Sequence, residues 1–145
     1  MGVYGHRIIR KLRGITLVEL LIVIVIIGLM ATIAYPNYRE FAARAKRVEA
    51  KAALLQIAQN QERFYLSNNS YTNDMTNLGF TSSSNFITKS ESYSISITAA
   101  NSNDFTAVAT YQFDDSEKLK CETFTVRADN ITSSTPDTDC WERTR

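Results

Sequence analysis

The sequence contains few of the residues from which catalytic and metal sites are built. Among its 145 residues there are one histidine, His6, and two cysteines, Cys121 and Cys140. It has no glycine-rich phosphate-binding loop, no cysteine–histidine spacing typical of metal sites, and no nucleophile with an identifiable general base. We therefore expect a protein that is not an enzyme and that uses neither a cofactor nor a metal ion.

An excess of charge of either sign is also lacking. The chain has 16 lysines and arginines against 15 acidic residues, which gives a formal net charge of +1. Four of the basic residues lie in the first 13 positions, which contain no acid, so 12 basic residues face 15 acidic ones in the rest of the chain. The basic side chains after residue 66 are Lys89, Lys118, Lys120, Arg127, Arg143 and Arg145. Because a nucleic-acid-binding domain usually presents a basic patch, we do not expect strong direct binding of nucleic acid.

The most prominent feature is an uncharged apolar segment that runs from Leu20 to Tyr38, directly after Glu19. As an α-helix it rises about 28 Å, close to the thickness of the hydrocarbon core of a bilayer. A carboxylate beside hydrocarbon is costly, so we expect Glu19 to have a functional partner. Gly28 and Pro36 are poor helix formers within this segment, and Pro36 should bend the helix because it has no N–H group.

The heptapeptide Gly14-Ile15-Thr16-Leu17-Val18-Glu19-Leu20 resembles the processing site of type IV pilins and the related pseudopilins. That family's pattern is glycine, a hydrophobic residue that is most often phenylalanine, threonine, leucine, a second hydrophobic residue, glutamate and leucine. Ile15 occupies the phenylalanine position. The resemblance continues through Pro36 and the helix after it to the C-terminal cysteines, and Cys140-Trp141 is similar to the end of PilE-like minor pilins.

The resemblance implies cleavage by a prepilin peptidase after Gly14, so that residues 1–14 are a leader peptide and Ile15 is an N-methylated new N-terminus. The basic run His6–Arg13 fits a targeting leader, and no small-residue cleavage site ends the apolar segment as in an ordinary secretory signal. Residues 15–38 are then retained as a transmembrane and filament-core helix. An uncleaved signal anchor is the alternative.

The resemblance also implies a topology and a role for Glu19. The leader would lie in the cytoplasm and the C-terminus in the periplasm, so the chain would be a single-pass inner-membrane protein before assembly. Glu19 would pair with the cationic amine of Ile15, in a neighbour or in its own chain, and set the register of assembly, because a buried carboxylate needs a paired charge. The alternative is a Glu19 that snorkels to the headgroups. Gly28 and Pro36 would loosen the helix when it packs in a filament.

The function implied by the resemblance is that of a structural subunit of a type IV pilus. Its partners would be other pilin subunits, the prepilin peptidase and the inner-membrane assembly platform. The finished extracellular filament would serve adhesion, twitching motility or DNA uptake. A minor pilin is favoured, with a major pilin of the same filament or a type II secretion pseudopilin as alternatives. Cys121 and Cys140 favour a pilin over the usual major pseudopilin, which has a calcium loop.

The rest of the chain divides into an amphipathic helix over 39–66, a connecting loop over 67–90, and a sheet with a C-terminal loop over 91–145. Apolar residues of the helix recur at helical spacing, and we expect them to cover the sheet. They are Phe41, Ala45, Val48, Ala52 and Leu55, widened by Leu54, Ile57, Ala58, Phe64 and Tyr65.

Alternating apolar residues predict strands from Tyr93 to Ala99, from Phe105 to Phe113 and from Lys120 to Arg127, with a short fourth segment from Ile131. An even pair of cysteines in an exported domain indicates one disulfide, Cys121–Cys140, which would close the C-terminal loop as in pilins. We thus expect an α+β, pilin-like fold. Its long N-terminal helix, membrane-spanning in the first half, would pack on a small antiparallel sheet of three to four strands.

Paired substitutions at Gly14 and Glu19 should separate processing from assembly. We expect Gly14→Ala to be cleaved less or not at all, because the peptidase is expected to recognise the glycine junction. Glu19→Ala should be cleaved normally but should assemble poorly, because the register-setting carboxylate is lost. Mass spectrometry of the N-terminal peptide and of sheared filaments measures both steps. Normal processing of Gly14→Ala would show that the junction is misplaced, and incorporation of Glu19→Ala at the wild-type level would contradict the register argument.

Overall fold

The structure, a computed structural model, describes residues 14–142. The predicted leader up to Arg13, with His6, and the basic residues Arg143 and Arg145 lie outside the described residues. The chain divides into two compact units, Met1–Arg39 and Glu40–Arg145. One long helix, α1 (Leu17–Asn68), begins in the first unit and ends in the second, which we call the head.

In the first unit, α1 starts at a capped N-terminus. The hydroxyl oxygen of Thr16 accepts a hydrogen bond from the backbone N–H of Glu19 at 3.2 Å, as a threonine N-cap does. Glu19 lies in the first helical turn, where a carboxylate interacts favourably with the helix dipole. The helix continues through Gly28 and Pro36 without a break. A kink at these two residues remains a prediction.

The apolar side chains of the first unit are exposed. Within α1, an 18-residue window has a mean hydropathy of 2.8, with none of it buried, so the helix is long and apolar enough to cross a membrane. Even the least exposed large apolar side chain of this segment, Val23, is 46% exposed. Because exposed apolar area is costly in water, this segment needs lipid or other protein around it.

In the head, α1 packs on the sheet through one face. The buried residues of this face are Arg47, Ala50, Leu54, Ile57, Ala58 and Gln61. The prediction that the whole apolar stripe covers the sheet is therefore wrong. Its members that stay exposed are Phe41, Ala45, Val48, Ala52 and Leu55. The reason is that the apolar residues of this helix lie on two faces, and the sheet covers only one of them.

The sheet contains five antiparallel strands in the order β1-β2-β3-β4-β5. They are β1 (Asn85–Ile87), β2 (Tyr93–Ala100), β3 (Phe105–Tyr111), β4 (Glu122–Arg127) and β5 (Thr132–Pro136). The pilin-like α+β class is confirmed, with one strand more than the predicted three to four. The additional strand β1 lies in the predicted connecting loop, because three residues are too short to show an alternation. The same segment holds a short 3₁₀ helix, Met75–Leu78.

Strand boundaries differ from the prediction at two places. β3 ends at Tyr111, and Phe113 is 45% exposed. Lys118–Cys121 form a short helical turn, α2, so β4 begins at Glu122 rather than at Lys120. In β2, a bulge between Ile97 and Ala99 shifts the register, and the predicted alternation of buried residues ends there.

The C-terminal loop is closed by a disulfide between Cys121 and Cys140, as predicted. Both cysteines are buried, with their Cα atoms 5.9 Å apart. The ring of Trp141 packs edge-on against Phe124, with centroids 5.7 Å apart. The ammonium group of Lys51 donates to the backbone carbonyl of Trp141 at 2.8 Å. This contact links α1 to the loop that the disulfide closes.

A buried ion pair joins α1 to the segment before β4. The guanidinium group of Arg47 donates from Nε and Nη2 to the two carboxylate oxygens of Glu117, with Nη2 and Oε2 2.6 Å apart. The two side chains are 5% and 8% exposed. The hydrogen bond to Glu117 raises the pKa of Arg47, so the guanidinium stays charged. The pair therefore fixes α2 beside the first turns of the head helix.

Removing one member of this ion pair should destabilise the head. We expect Glu117→Gln to cost about 3–5 kcal/mol, because the charge of Arg47 is then buried without a counter-charge. The double variant Arg47→Met/Glu117→Leu should cost less than Glu117→Gln alone. Urea unfolding of the detergent-solubilised chain, followed by Trp141 fluorescence, measures this. As a control, Arg44→Met removes an exposed ion pair and should cost less than about 1 kcal/mol. Wild-type stability of Glu117→Gln would contradict the argument.

Candidate assembly surface

The predicted processing residues lie at the start of α1 and are exposed. Gly14 and Ile15 precede the helix, and Glu19 follows in its first turn. A Cβ atom at Gly14 would meet no atom of the described chain within 4 Å. The fold itself therefore does not require glycine there. A requirement for glycine would come from an enzyme that recognises this junction, as the resemblance implies.

The predicted site residues fall into three groups. Gly14, Ile15 and Glu19 are close together in the chain at the start of α1, whereas Gly28 and Pro36 lie further along its exposed apolar part. Cys121 and Cys140 are in the core of the head and form the disulfide. Cleavage, methylation, the register role of Glu19 and helix loosening remain predictions.

The head carries a second apolar surface on α1, which we call the helix stripe. It consists of Phe41, Ala45, Val48, Ala52 and Leu55. Phe41 is 72% exposed, Val48 56% and Leu55 44%. Successive members are three or four residues apart, so they form one continuous strip along the helix. The buried residue Ala50 follows Val48 by two positions, which is a rotation of about 200° and places the stripe opposite the sheet.

Sequence reasoning identified the members of the stripe but assigned them to the core. Their number could have shown that some of them stay exposed, because ten apolar residues at helical spacing are more than one packed face needs. Arg47 and Gln61, which do complete the packed face, were missed because they are polar. Each has a distant partner: Arg47 binds Glu117, and Gln61 accepts a hydrogen bond from the backbone N–H of Thr72 at 3.0 Å.

Four of the nine cations of the head within the described residues make ion pairs, and one of these pairs, Arg47–Glu117, is buried. The exposed or half-exposed ion pairs are Arg44–Glu40, Lys118–Asp114 and Arg127–Asp104. In the last pair, the hydrogen bond from Arg127 lowers the pKa of Asp104. The exposed cations of the head that make no ion pair within the described residues are Arg63, Lys89 and Lys120. No group of histidine, cysteine and acidic side chains in the described part of the chain is arranged to hold a metal ion.

Two protein families match the chain. A family described as "Type IV minor pilin ComP, DNA uptake sequence receptor" matches residues 36–125. A second, described as "Prokaryotic N-terminal methylation motif", matches residues 9–35. The second match covers the junction at Gly14 and most of the apolar segment, and the first covers the head helix and the sheet as far as β4.

Curated relatives are pilus proteins. The type IV major pilin protein PilA of Myxococcus xanthus (strain DK1622) is 43% identical over 68 residues, which are 47% of this chain and 31% of that protein. The type IV major pilin protein PilE of Neisseria gonorrhoeae is 38% identical over 76 residues, 50% of this chain and 43% of that protein. The type IV wide pilus major component PilA4 of Thermus thermophilus is 34% identical over 103 residues, 69% of this chain and 74% of that protein. The chain thus spans less than half of the length of the first two relatives.

The fold, the methylation motif and these relatives define a filament-forming class of protein. The chain belongs to the type IV pilin family, and the resemblance found in its sequence is confirmed. Members of this family are structural subunits rather than enzymes. They assemble into filaments with other pilins, and the methylation motif indicates processing by a prepilin peptidase. The apolar N-terminal helix is consistent with anchoring in the inner membrane and with an extracellular pilus.

Proposed function

We propose that the chain is a minor pilin of a type IV pilus. In this proposal it is cleaved after Gly14, N-methylated on Ile15, and held in the inner membrane with its C-terminus in the periplasm. The inner-membrane assembly platform then adds it to a surface filament for adhesion, twitching motility or DNA uptake. The observation that supports assembly into a filament is the exposed helix stripe, which continues the apolar segment along the sequence.

The helix stripe favours a subunit that is completed by its neighbours. Apolar area removed from water stabilises an assembly by about 25 cal/mol per Å². Val48, at 56% exposed, and Leu55, at 44%, have much of their area still available for burial. A second pilin helix laid along the stripe would remove that area from water. Within the same filament, the amine of Ile15 would neutralise Glu19 where no water reaches it.

The minor-pilin assignment draws on the family matched over residues 36–125, whose description names a minor pilin. The relatives from Myxococcus, Neisseria and Thermus are described as major components. A major pilin is therefore the first alternative, and a type II secretion pseudopilin the second. Abundance in the filament distinguishes the three.

A charge in the helix stripe should block assembly without unfolding the head. We expect Val48→Glu to reduce the chain in sheared filaments at least tenfold, because a carboxylate without a partner would be buried between subunits at a cost of roughly 2 kcal/mol or more. Quantitative mass spectrometry of sheared filaments measures this. Thr81→Glu, at an exposed position of the connecting segment, is the control and should assemble normally. Incorporation of Val48→Glu at the wild-type level would contradict the proposal.

The same measurement on the wild-type chain decides whether it is a minor pilin, a major pilin or a pseudopilin. A trace amount beside another pilin supports a minor pilin. A dominant amount makes the chain the major pilin. A chain methylated on Ile15 but found only in the membrane fraction supports the pseudopilin alternative.

DNA reception is a second candidate function, and the matched family favours it, since its description names a DNA uptake sequence receptor. Lys89 is the best-placed cation for phosphate contact in the sheet region, because it is exposed and makes no ion pair within the described residues. Its backbone N–H donates to Glu49 at 2.6 Å, which holds the turn that carries it. The small number of such cations argues for modest affinity.

If the head receives DNA through Lys89, binding should depend on salt. We expect the detergent-solubilised chain to bind duplex DNA, and Lys89→Glu to reduce the slope of log affinity against log salt by about 1. Fluorescence anisotropy measures both quantities. Arg63→Glu is the control for the overall charge, because it makes the same charge change at another place. Arg63 lies about 21 Å along α1 from Glu49, the residue that contacts Lys89. No binding by the wild type at about 50 mM salt would reject DNA reception.

A further inference from the structure

The turn α2, directly before β4, carries a group of side chains that we call the basic knob. It consists of Lys118, Leu119 and Lys120. Leu119 is 80% exposed, an unusual position for a large aliphatic side chain between two cations. Lys118 forms a surface ion pair in which its Nζ lies 3.3 Å from Oδ1 of Asp114, and the side chain of Asp114 is 94% exposed. Lys120 is exposed and makes no ion pair within the described residues. The knob therefore presents one apolar side chain and two cations to the outside.

Contacts with α1 fix where the knob lies. Glu117, directly before it, is bound by Arg47. The pKa of Glu40 is lowered first by the hydrogen bond from Arg44 and, to a smaller extent, by the charge of Lys120. The knob thus lies beside residues 40–47 of α1, which are the first residues of the head.

This part of α1 is close to the apolar segment along the chain. Residues 40–47 span about 10 Å of helix, and Glu40 is two residues, or at most about 7 Å, beyond Tyr38. The headgroup region adds roughly 5–8 Å on each side of the hydrocarbon core. The first residues of the head, beside which the knob lies, are therefore close along the chain to the headgroups of a bilayer that holds the apolar segment.

We propose that the basic knob docks on anionic phospholipid headgroups while the subunit resides in the membrane before assembly. Lys118 and Lys120 would bind lipid phosphates, and Leu119 would enter the boundary between headgroups and acyl chains. The inference rests on the proposed function, because it requires the apolar segment to span the bilayer.

Charge complementarity is the reason for choosing this occupant. Lysines near an anionic lipid surface are attracted to it. An apolar residue beside cations suits the bilayer interface, because the apolar side chain can enter the acyl boundary while the cations stay among the headgroups. Of the nearest acids, Glu117 is neutralised by Arg47. Asp114 pairs with Lys118 at the surface, so a lipid phosphate would have to replace that contact, whereas Lys120 makes no ion pair within the described residues. Asp115 accepts a hydrogen bond from the hydroxyl of Tyr111 at 3.0 Å and keeps its charge.

Lysine labelling of the full chain in vesicles tests the proposal. The chain carries Arg63→Lys, which adds a reference amine about 34 Å along α1 from Glu40. It is reconstituted in phosphatidylcholine vesicles with and without phosphatidylglycerol and treated with a water-soluble amine reagent. We expect the anionic lipid to reduce labelling of Lys118 and Lys120 at least about fivefold, relative to the reference amine, and high salt to restore it.

A matched pair of variants tests the apolar part of the knob. Leu119→Ser should reduce the protection of the neighbouring lysines, and Leu66→Ser, at a residue 83% exposed and about 39 Å along α1 from Glu40, should not. Both positions are exposed, so neither change should unfold the head. Equal effects of the two variants would overturn the role of Leu119.

Flotation and alkaline extraction of the same vesicles separate this inference from the proposed function. A chain that is not anchored overturns both. An anchored chain whose knob lysines are labelled equally with and without phosphatidylglycerol overturns the docking alone. Protection of Lys118 and Lys120 by added duplex DNA, with none from anionic lipid, would also overturn it and would favour a DNA receptor.

Discussion

The head depends on the burial of one face of α1 against the sheet. Ala50, Leu54 and Ile57 are fully buried there, and full burial of a leucine or isoleucine side chain contributes about 1.5–3 kcal/mol. The strands are short, and a small sheet with one uncovered apolar face is only marginally stable. The helix supplies the cover, so the fold cannot exist without it. The disulfide and the Arg47–Glu117 pair then hold the segments around β4 against the same helix.

This constraint also explains why a second apolar face is informative. A single sheet covers one side of a helix, so apolar residues on the other side do not contribute to the stability of the isolated head. Exposed apolar strips of this kind mark contacts with other molecules. Because the chain belongs to a filament-forming family, we assign the helix stripe to contact with a neighbouring subunit. In the proposed filament, one helix would thus stabilise the head with one face and join subunits with the other.

The sequence was sufficient for features that are encoded locally. The junction at Gly14, the apolar segment and the alternation in β3 each depend on residues close together in the chain. The disulfide was also predictable, because only two cysteines are present. These features were enough for the fold class and for membership of the pilin family.

Features that depend on distant partners were not predictable. Periodicity shows that a helix is apolar along certain lines, but it does not show which line meets the sheet. Arg47 is buried because Glu117, 70 residues away, neutralises it. The turn α2, which replaced the start of a predicted strand, directly follows Glu117, and that pair holds Glu117 against α1.

The proposed transfer of the subunit from membrane to filament changes the free energy of three parts of the chain: the apolar segment, Glu19 and the helix stripe. Lipid chains and apolar helices are similar surroundings for the apolar segment, so moving it from one to the other yields little. An unpaired Glu19 in hydrocarbon is different: insertion scales assign a central carboxylate roughly 2.5–3.5 kcal/mol, and less near an end. Pairing with Ile15 would remove that cost, and covering the helix stripe would add a gain that lipid does not supply.

Docking of the basic knob opposes release by only about 1 kcal/mol per lysine, and salt weakens it. In this proposal, Glu19 and the stripe favour the filament over the membrane, whereas the apolar segment itself favours neither.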